Sequence, residues 1–224
     1  MTAHVDHLVV AAATLDQGVR WCEYALGVTP GPGGKHPLMG THNRVLNIAT
    51  ETYPRAYLEI IAIDPDAQAP AHARWFDLDD PLLQRAIQQQ PRLVHFVAST
   101  PDAAAALRSL HGLGIDRGVL LAAERPTPGG LLRWHISVRP DGQRLFYGGL
   151  PTLIEWGDTH PVDTMPPSGV TLQSLRIAHP RAATLRAAHA AIGLQGVDVE
   201  QEAPDLLAAL LTPRGEVTLQ SGGI

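Results

Sequence analysis

Four residues of the 224-residue chain combine metal-binding side chains with matched positions in the sequence. The imidazoles are His7 and His95, the carboxylates are Glu59 and Glu155, and each interrupts an apolar run typical of a strand. A buried carboxylate is costly unless a metal, a cation or a proton accompanies it. Brought together, the four side chains would suit a divalent transition ion such as Zn, Ni, Fe, Co or Mn. The alternative is that each glutamate binds a nearby arginine or hydroxyl group inside a metal-free pocket.

The elements that would position these residues recur along the chain as three βαβββ units, at about 4–64, 92–157 and 169–224. In each unit an apolar strand precedes a helix that ends near a glycine, and three strands follow. Residues 65–91 bridge the first two units and include a short helix over 81–90. We predict an α+β fold in which residues 1–160 pair two units. Their strands form one curved, mostly antiparallel eight-stranded sheet with outer helices and an inner cavity.

The repeat puts each histidine on the first strand of its unit and each glutamate on the last. In the third unit the corresponding residues are Ser174 and Gln220, which are poor ligands for a divalent ion. This degenerate third unit is therefore expected to be structural. Because no fourth unit completes it, we expect it to pack on the first two units or to pair with its twin in a homodimer.

Other polar residues are candidates for substrate binding. Tyr57 shares a strand face with Glu59, and Asn43 follows a Gly/Pro-rich segment, 31–34, that reads as a turn at the cavity mouth. Arg133 and His135 share a face of a strand in the second unit and could orient a carbonyl or anionic ligand. The alternatives are ordinary solvated polarity near Asn43 and a surface strand around Arg133.

Composition narrows the classes of function. A net charge of −5 without any Lys/Arg-rich run disfavours a nucleic-acid partner. No apolar run approaches the roughly 20 residues that cross a bilayer, and the first residues do not resemble a secretory signal. The lone Cys22 lies in a helical stretch and is expected to be structural and buried, which favours a cytoplasmic protein with a small-molecule ligand.

Several segments resemble the vicinal oxygen chelate superfamily, which includes glyoxalase I, extradiol dioxygenases and drug-resistance binding proteins, and especially its glyoxalase-like subfamily. These segments are Asp6-His7-Leu8-Val9-Val10, Gly40-Thr41-His42-Asn43-Arg44, Tyr57-Leu58-Glu59-Ile60-Ile61-Ala62 and Arg74-Trp75-Phe76-Asp77-Leu78-Asp79-Asp80-Pro81.

The resemblance implies that His7, Glu59, His95 and Glu155 bind a metal ion that chelates two neighbouring oxygens of a substrate. It also implies that Glu59 or Glu155 moves a proton, in a lyase, isomerase or dioxygenase reaction. Metal-free members of the superfamily imply the alternative, a protein that binds or sequesters a small molecule in the same cavity.

Overall fold

The computed structural model describes residues 2–127 and 130–224. The first unit contains β1 (Ala3–Ala11), α1 (Leu15–Ala25), β2 (Gly31–His36), β3 (Thr41–Asn47) and β4 (Tyr57–Ile63). After α2 (Pro81–Gln89), the second unit contains β5 (Arg92–Ser99), α3 (Ala103–Gly112), β6 (Val119–Thr127), β7 (Gly130–Val138) and β8 (Thr152–Trp156). The third contains β9 (Thr171–Ala178), α4 (Ala182–Ala191), β10 (Leu194–Gln195), β11 (Val197–Glu200), β12 (Asp205–Thr212) and β13 (Gly215–Gln220).

Local signals explain where the helices begin. The side chains of Thr14, Asp80 and Asp102 accept backbone N–H groups in the first turns of α1, α2 and α3, which satisfies donors that a helix leaves free. Cys22 is buried in α1, and burial raises the pKa of its thiol to about 12. The thiol is therefore an apolar packing group, as its sequence context predicts.

The first two units share one curved sheet in the order β2-β3-β4-β1-β5-β8-β7-β6. Strands β1 and β5 pair antiparallel at the centre, and each has the last strand of its own unit as a parallel neighbour. On one face, Leu8 and Leu58 join a core with Leu26, at the end of α1, while Val9 and Ile61 face the concave side. The predicted α+β fold, with a curved eight-stranded sheet and outer helices, is confirmed.

The third unit forms its own sheet in the order β11-β9-β12-β13 and packs on the convex side of the first sheet. Leu175, Ile177 and Leu210 share a core with Phe96 of β5, and β10 pairs with β1. This strand order differs from that of the first two units, because β12 separates β9 from β13. Gln220 on β13 is therefore not the structural counterpart of Glu59, and that part of the sequence prediction is wrong.

The segment Gly31–Gly34, predicted to be a turn, belongs to the edge strand β2. An edge position tolerates Pro32, because the outer side of an edge strand needs no backbone donor. The two following glycines have a packing role, since a Cβ atom on Gly33 would overlap Asn43 and one on Gly34 would overlap Arg125. The composition that suggests a turn here reflects close approach of side chains to the strand.

The helices in the described part of the chain are short, 11 residues at most for α1, and none is long and apolar enough to cross a membrane.

Candidate functional site

The concave face of the sheet encloses a cavity of about 690 Å³, a size typical of small-molecule sites. Beside it lies a recess of about 50 Å³ that shares part of its wall with the larger space. The shared wall consists of His36, Trp75, Trp134, Ile136 and Trp156. Polar side chains line the recess and mostly apolar ones line the cavity, so a ligand could place a reactive group in the first and its body in the second.

An Asp–His pair on β1 lies at the recess. The register of β1 against β5 shifts between Val5 and His7, and such a bulge re-aims side chains that would otherwise alternate. Asp6 Oδ1 lies 2.7 Å from His7 Nδ1, and Asp6 Oδ2 accepts the indole N–H of Trp156 at 2.9 Å. The second oxygen also bonds His160 Nε2 at 3.0 Å.

The contacts with the two histidines keep Asp6 ionised. Burial alone would raise the pKa of Asp6, but the hydrogen bonds from His160 and His7 hold it well below its ordinary value. An ionised Asp6 that accepts from Nδ1 of His7 leaves the Nε2 atom of that ring directed at the recess.

His7 faces Glu59 across the parallel pairing of β1 and β4. His7 Nε2 lies 3.8 Å from Glu59 Oε2, and both side chains are almost fully buried. The ring of Tyr57 stacks on His7 with centroids 4.4 Å apart. Burial, together with the charges of Asp6 and Glu59, raises the pKa of Tyr57 well above its ordinary value, so its phenol stays neutral.

Asn43 and His36 hold the Glu59 carboxylate. The Asn43 amide donates to Glu59 Oε1 at 2.5 Å, while its oxygen accepts the backbone N–H of Gly34 at 2.7 Å. The same amide lies 3.3 Å from His36 Nε2, and His36 Nδ1 bonds the Thr41 hydroxyl at 3.0 Å. Burial, against a partial offset from Glu59, lowers the pKa of His36 to about 4. Neutral His36 accepts from Asn43 through Nε2 and leaves the negative charge of Glu59 unneutralised.

His95 belongs to a separate network in the second unit. Its Nδ1 bonds the carbonyl of Gly148 at 3.0 Å, and its Nε2 accepts the backbone N–H of Thr152 at 3.1 Å. The buried Arg117 guanidinium lies 3.3 Å from the same Nε2. Burial, followed by the charge of Arg117, holds the pKa of His95 well below its usual range.

Glu155 belongs to the lining of the larger cavity, but its carboxylate is bonded to an outer helix and lies away from the recess. Its Oε2 accepts the backbone N–H of Ala103 at 2.8 Å, at the first residue of α3. On β8 it alternates with Ile154 and Trp156, whose side chains line the recess. Its carboxylate therefore stabilises the start of an outer helix through a hydrogen bond and the helix dipole.

The four residues predicted to bind a metal thus do not converge. Only His7 and Glu59 meet; Glu155 is bonded to α3, and both ring nitrogens of His95 are engaged beside a guanidinium that would repel a cation. Within residues 2–127 and 130–224, no three His, Cys, Asp or Glu side chains are arranged to hold an ion. The residues present do not fit the metal that the superfamily resemblance implies.

The predicted substrate-binding residues divide in the same way. Tyr57 and Asn43 line the recess next to Glu59. Arg133 and His135 are exposed and alternate with Trp134 on β7; both belong to the lining of the larger cavity rather than the recess, and Arg133 pairs with Glu124 at 3.4 Å.

Sequence reasoning did not assign Asp6, the tryptophan wall or His160 to the site. Asp6 had a signal, because a carboxylate next to a strand histidine breaks the strict alternation. His160 had none, because it lies 154 positions from Asp6 along the chain.

A curved sheet built from paired βαβββ units around a polar recess defines a protein of the vicinal oxygen chelate superfamily. Residues 5–211 match the model of the glyoxalase-like domain family, and the chain belongs to that family. No curated protein matches the chain.

Solved structures match the chain at low identity. A hypothetical protein from Staphylococcus aureus is 13% identical, with a TM-score of 0.60 over 98% of this chain and 85% of that one. A Streptomyces coelicolor methylmalonyl-CoA epimerase variant in complex with 2-nitronate-propionyl-CoA is 16% identical, with a TM-score of 0.42 over 70% of this chain and 96% of that one.

Proposed function

We propose that the protein binds a small oxygenated metabolite in its cavity and moves a proton on a carbon atom next to a carbonyl group, as an isomerase or lyase does. The observation that carries the proposal is the His7–Glu59 pair, with 3.8 Å between Nε2 and Oε2 at the recess. Two proton-accepting groups at one point of a small-molecule cavity can divide acid and base roles between them.

The groups around this pair suit proton transfer. Asp6 fixes the His7 ring so that Nε2 is the atom that can take or give a proton, as in other Asp-oriented imidazole bases. Asn43 and the neutral His36 fix the Glu59 carboxylate and leave its charge in place. The tryptophans of the shared wall limit water at the recess, which strengthens electrostatic interactions there.

The acid–base groups are this chain's own residues, and no step runs through a metal ion. Glu59 was predicted to be both ligand and proton carrier, and the second role is the one its contacts support. Proton transfer is the step that these contacts support, and lyase and isomerase reactions both depend on it.

Hydrogen–deuterium exchange tests the proposal directly. The protein would be incubated in D2O with 2-oxobutyrate, phenylpyruvate and uncharged dihydroxyacetone, and loss of the C–H signal next to each carbonyl followed by proton NMR. We expect exchange faster than the protein-free rate, lowered about 100-fold or more by His7→Gln and by Glu59→Gln. Glu216→Gln, an exposed carboxylate on β13, is the matched control. Exchange that survives both site variants contradicts the proposal.

A second candidate is a protein that binds its ligand without converting it. The observation favouring it is the size of the apolar, tryptophan-lined cavity relative to the small polar recess. Binding of these compounds without accelerated exchange of any of them would support this candidate over the first.

A cytoplasmic location and a homodimer in solution stay predictions from the sequence. Light scattering tests the dimer, and a mass equal to one chain would contradict it.

A further inference from the structure

A guanidinium group faces the proposed catalytic pair from the opposite side of the half-barrel. Arg125 lies on β6 at one edge of the sheet, and its side chain reaches Gly34 on β2 at the other edge. It lines the same recess as His7 and Glu59, and its charge influences both His36 and Tyr57. Arg125 therefore spans the opening of the curved sheet above the polar recess.

The charge of Arg125 has no partner among residues 2–127 and 130–224. The ion pairs in this part of the chain include Arg133 with Glu124 and Lys35 with Asp64, whereas the Arg125 guanidinium makes neither an ion pair nor a hydrogen bond with the described residues. A half-buried guanidinium presents five N–H donors in a planar fork that matches a carboxylate. In this position its N–H groups are free to donate to an anionic group of a ligand.

The rest of the cavity wall is mostly apolar and favours a ligand with an apolar body. Trp134 and Trp156 lie with ring centroids 5.6 Å apart, and Ile136, Leu121 and Met39 extend the apolar surface. Trp75 lines both spaces, and its buried indole N–H finds no acceptor in the described residues. A polar atom on the ligand would satisfy this donor as well.

We propose that the ligand of this cavity is a carboxylate with an apolar or aromatic body, whose carboxylate binds Arg125. The inference rests on the proposed function for the choice of cavity, and it names the class of molecule that the site accepts. Glu59 carries a negative charge in the same recess, so a singly charged anion is favoured over a phosphate with nearly two charges.

Calorimetric titration with three probes of the same shape tests this class. They are 3-phenylpropionate, the uncharged 3-phenylpropanamide and 2-phenylethyl phosphate. We expect the carboxylate to bind about tenfold more tightly than the amide, and more tightly than the phosphate. Equal affinity for acid and amide, or no binding of either, overturns the inference. Tighter binding of the phosphate overturns the assignment to a carboxylate.

Variants locate the effect at Arg125. In Arg125→Gln the preference for acid over amide should disappear, and in Arg125→Lys it should survive in part because the charge remains but the fork is lost. Arg44→Gln is the matched control, since Arg44 is exposed on β3 and lines none of the spaces around the site. A preference retained in Arg125→Gln contradicts the inference.

Proton transfer at His7 and carboxylate binding at Arg125 can be tested separately. His7→Gln should keep the preference for the acid although it loses exchange, because the carboxylate binds Arg125 and the proton moves at His7. Exchange of dihydroxyacetone without any preference for the acid would leave proton transfer standing and remove the carboxylate assignment.

Discussion

Asp6 Oδ1 and His7 Nδ1 lie 2.7 Å apart, although side chains of neighbouring strand residues normally point to opposite faces. The bulge in β1 brings them together, and the carboxylate is then held by N–H groups from Trp156 and His160. This bonding fixes both the orientation and the tautomer of His7. The bulge in β1 thereby orients the His7 imidazole as a base at the recess.

Replacing Asp6 with Asn should remove proton transfer while leaving the cavity in place. An amide can hold His7 in the wrong tautomer and cannot stabilise its charged form, and the analogous change in a serine protease costs about 10⁴-fold in rate. We expect the NMR exchange rate to fall on the order of 10²–10⁴-fold.

The affinity for 3-phenylpropionate in the same Asp6→Asn protein is the control, and it should change little because Arg125 is untouched. An exchange rate within a few fold of the unmodified protein would show that Asp6 does not orient the base.

Glu155→Gln should lower stability and affect exchange far less than Glu59→Gln does. The Glu155 carboxylate accepts the Ala103 N–H at the positive end of α3, and losing its charge weakens that contact by about 0.5–1 kcal/mol. Urea unfolding measures the loss. The contrasting outcome, unchanged stability with exchange abolished, would return Glu155 to the catalytic role that the sequence predicted.

The fate of Glu155 shows which part of the site the sequence could predict. The repeated strand–helix pattern is local, so the paired units and the positions of His7 and Glu59 could be predicted from it. Which side chains of β8 point to the concave face depends on the register of β8 with β5, and no local sequence pattern indicates that register. In the first unit, Val9 is two residues after His7 and pairs with Glu59. In the second unit, Val97 is two residues after His95 and pairs with Thr152, so Thr152 is the structural counterpart of Glu59.

The position of Arg125 at the recess could not be predicted from the sequence either. Its sequence neighbourhood resembles an ordinary edge strand, and only closure of the curved sheet brings β6 opposite β2. The glycines of β2 stand out in the sequence. The reason for them is the close approach of Asn43 on β3 and Arg125 on β6, which only the folded sheet brings about.

His189 should make the protein less stable in mild acid. Burial lowers the pKa of His189 to about 4 from an ordinary value of 6.5, against a partial offset from its bond to the Gly149 carbonyl. Between these values the unfolded chain binds a proton that the folded chain does not. The free energy of unfolding is therefore unaffected by protonation of His189 above about pH 6.5 and falls as the pH is lowered towards 4.

His189→Gln measures this contribution. Gln can still donate to the Gly149 carbonyl but does not titrate, so its free energy of unfolding should fall less between pH 7 and pH 4.5, by on the order of 2 kcal/mol. Urea titrations at the two pH values give the difference, and His36, whose pKa is lowered in the same direction, supplies part of the slope that remains. Equal slopes for both proteins would contradict the assignment to His189.

Gly34→Ala tests the position of Arg125 without changing any charge. A methyl group on Gly34 would overlap the Arg125 guanidinium, which is the end of a flexible side chain and can move aside, whereas Gly34 itself has an ordinary backbone conformation in β2. Stability should therefore change by no more than about 0.5–1 kcal/mol. Because the displaced guanidinium no longer lies over the recess, the affinity for 3-phenylpropionate should fall about tenfold while that for 3-phenylpropanamide holds.

Gly112→Ala is the matched control, since a Cβ atom there meets nothing within 4 Å. It should leave both affinities unchanged. If Gly34→Ala keeps the preference for the acid, the carboxylate does not depend on Arg125 lying across the mouth of the sheet. If both affinities fall together, the methyl group blocks the cavity itself, and the Arg125→Gln titration then decides whether the guanidinium contributes to binding.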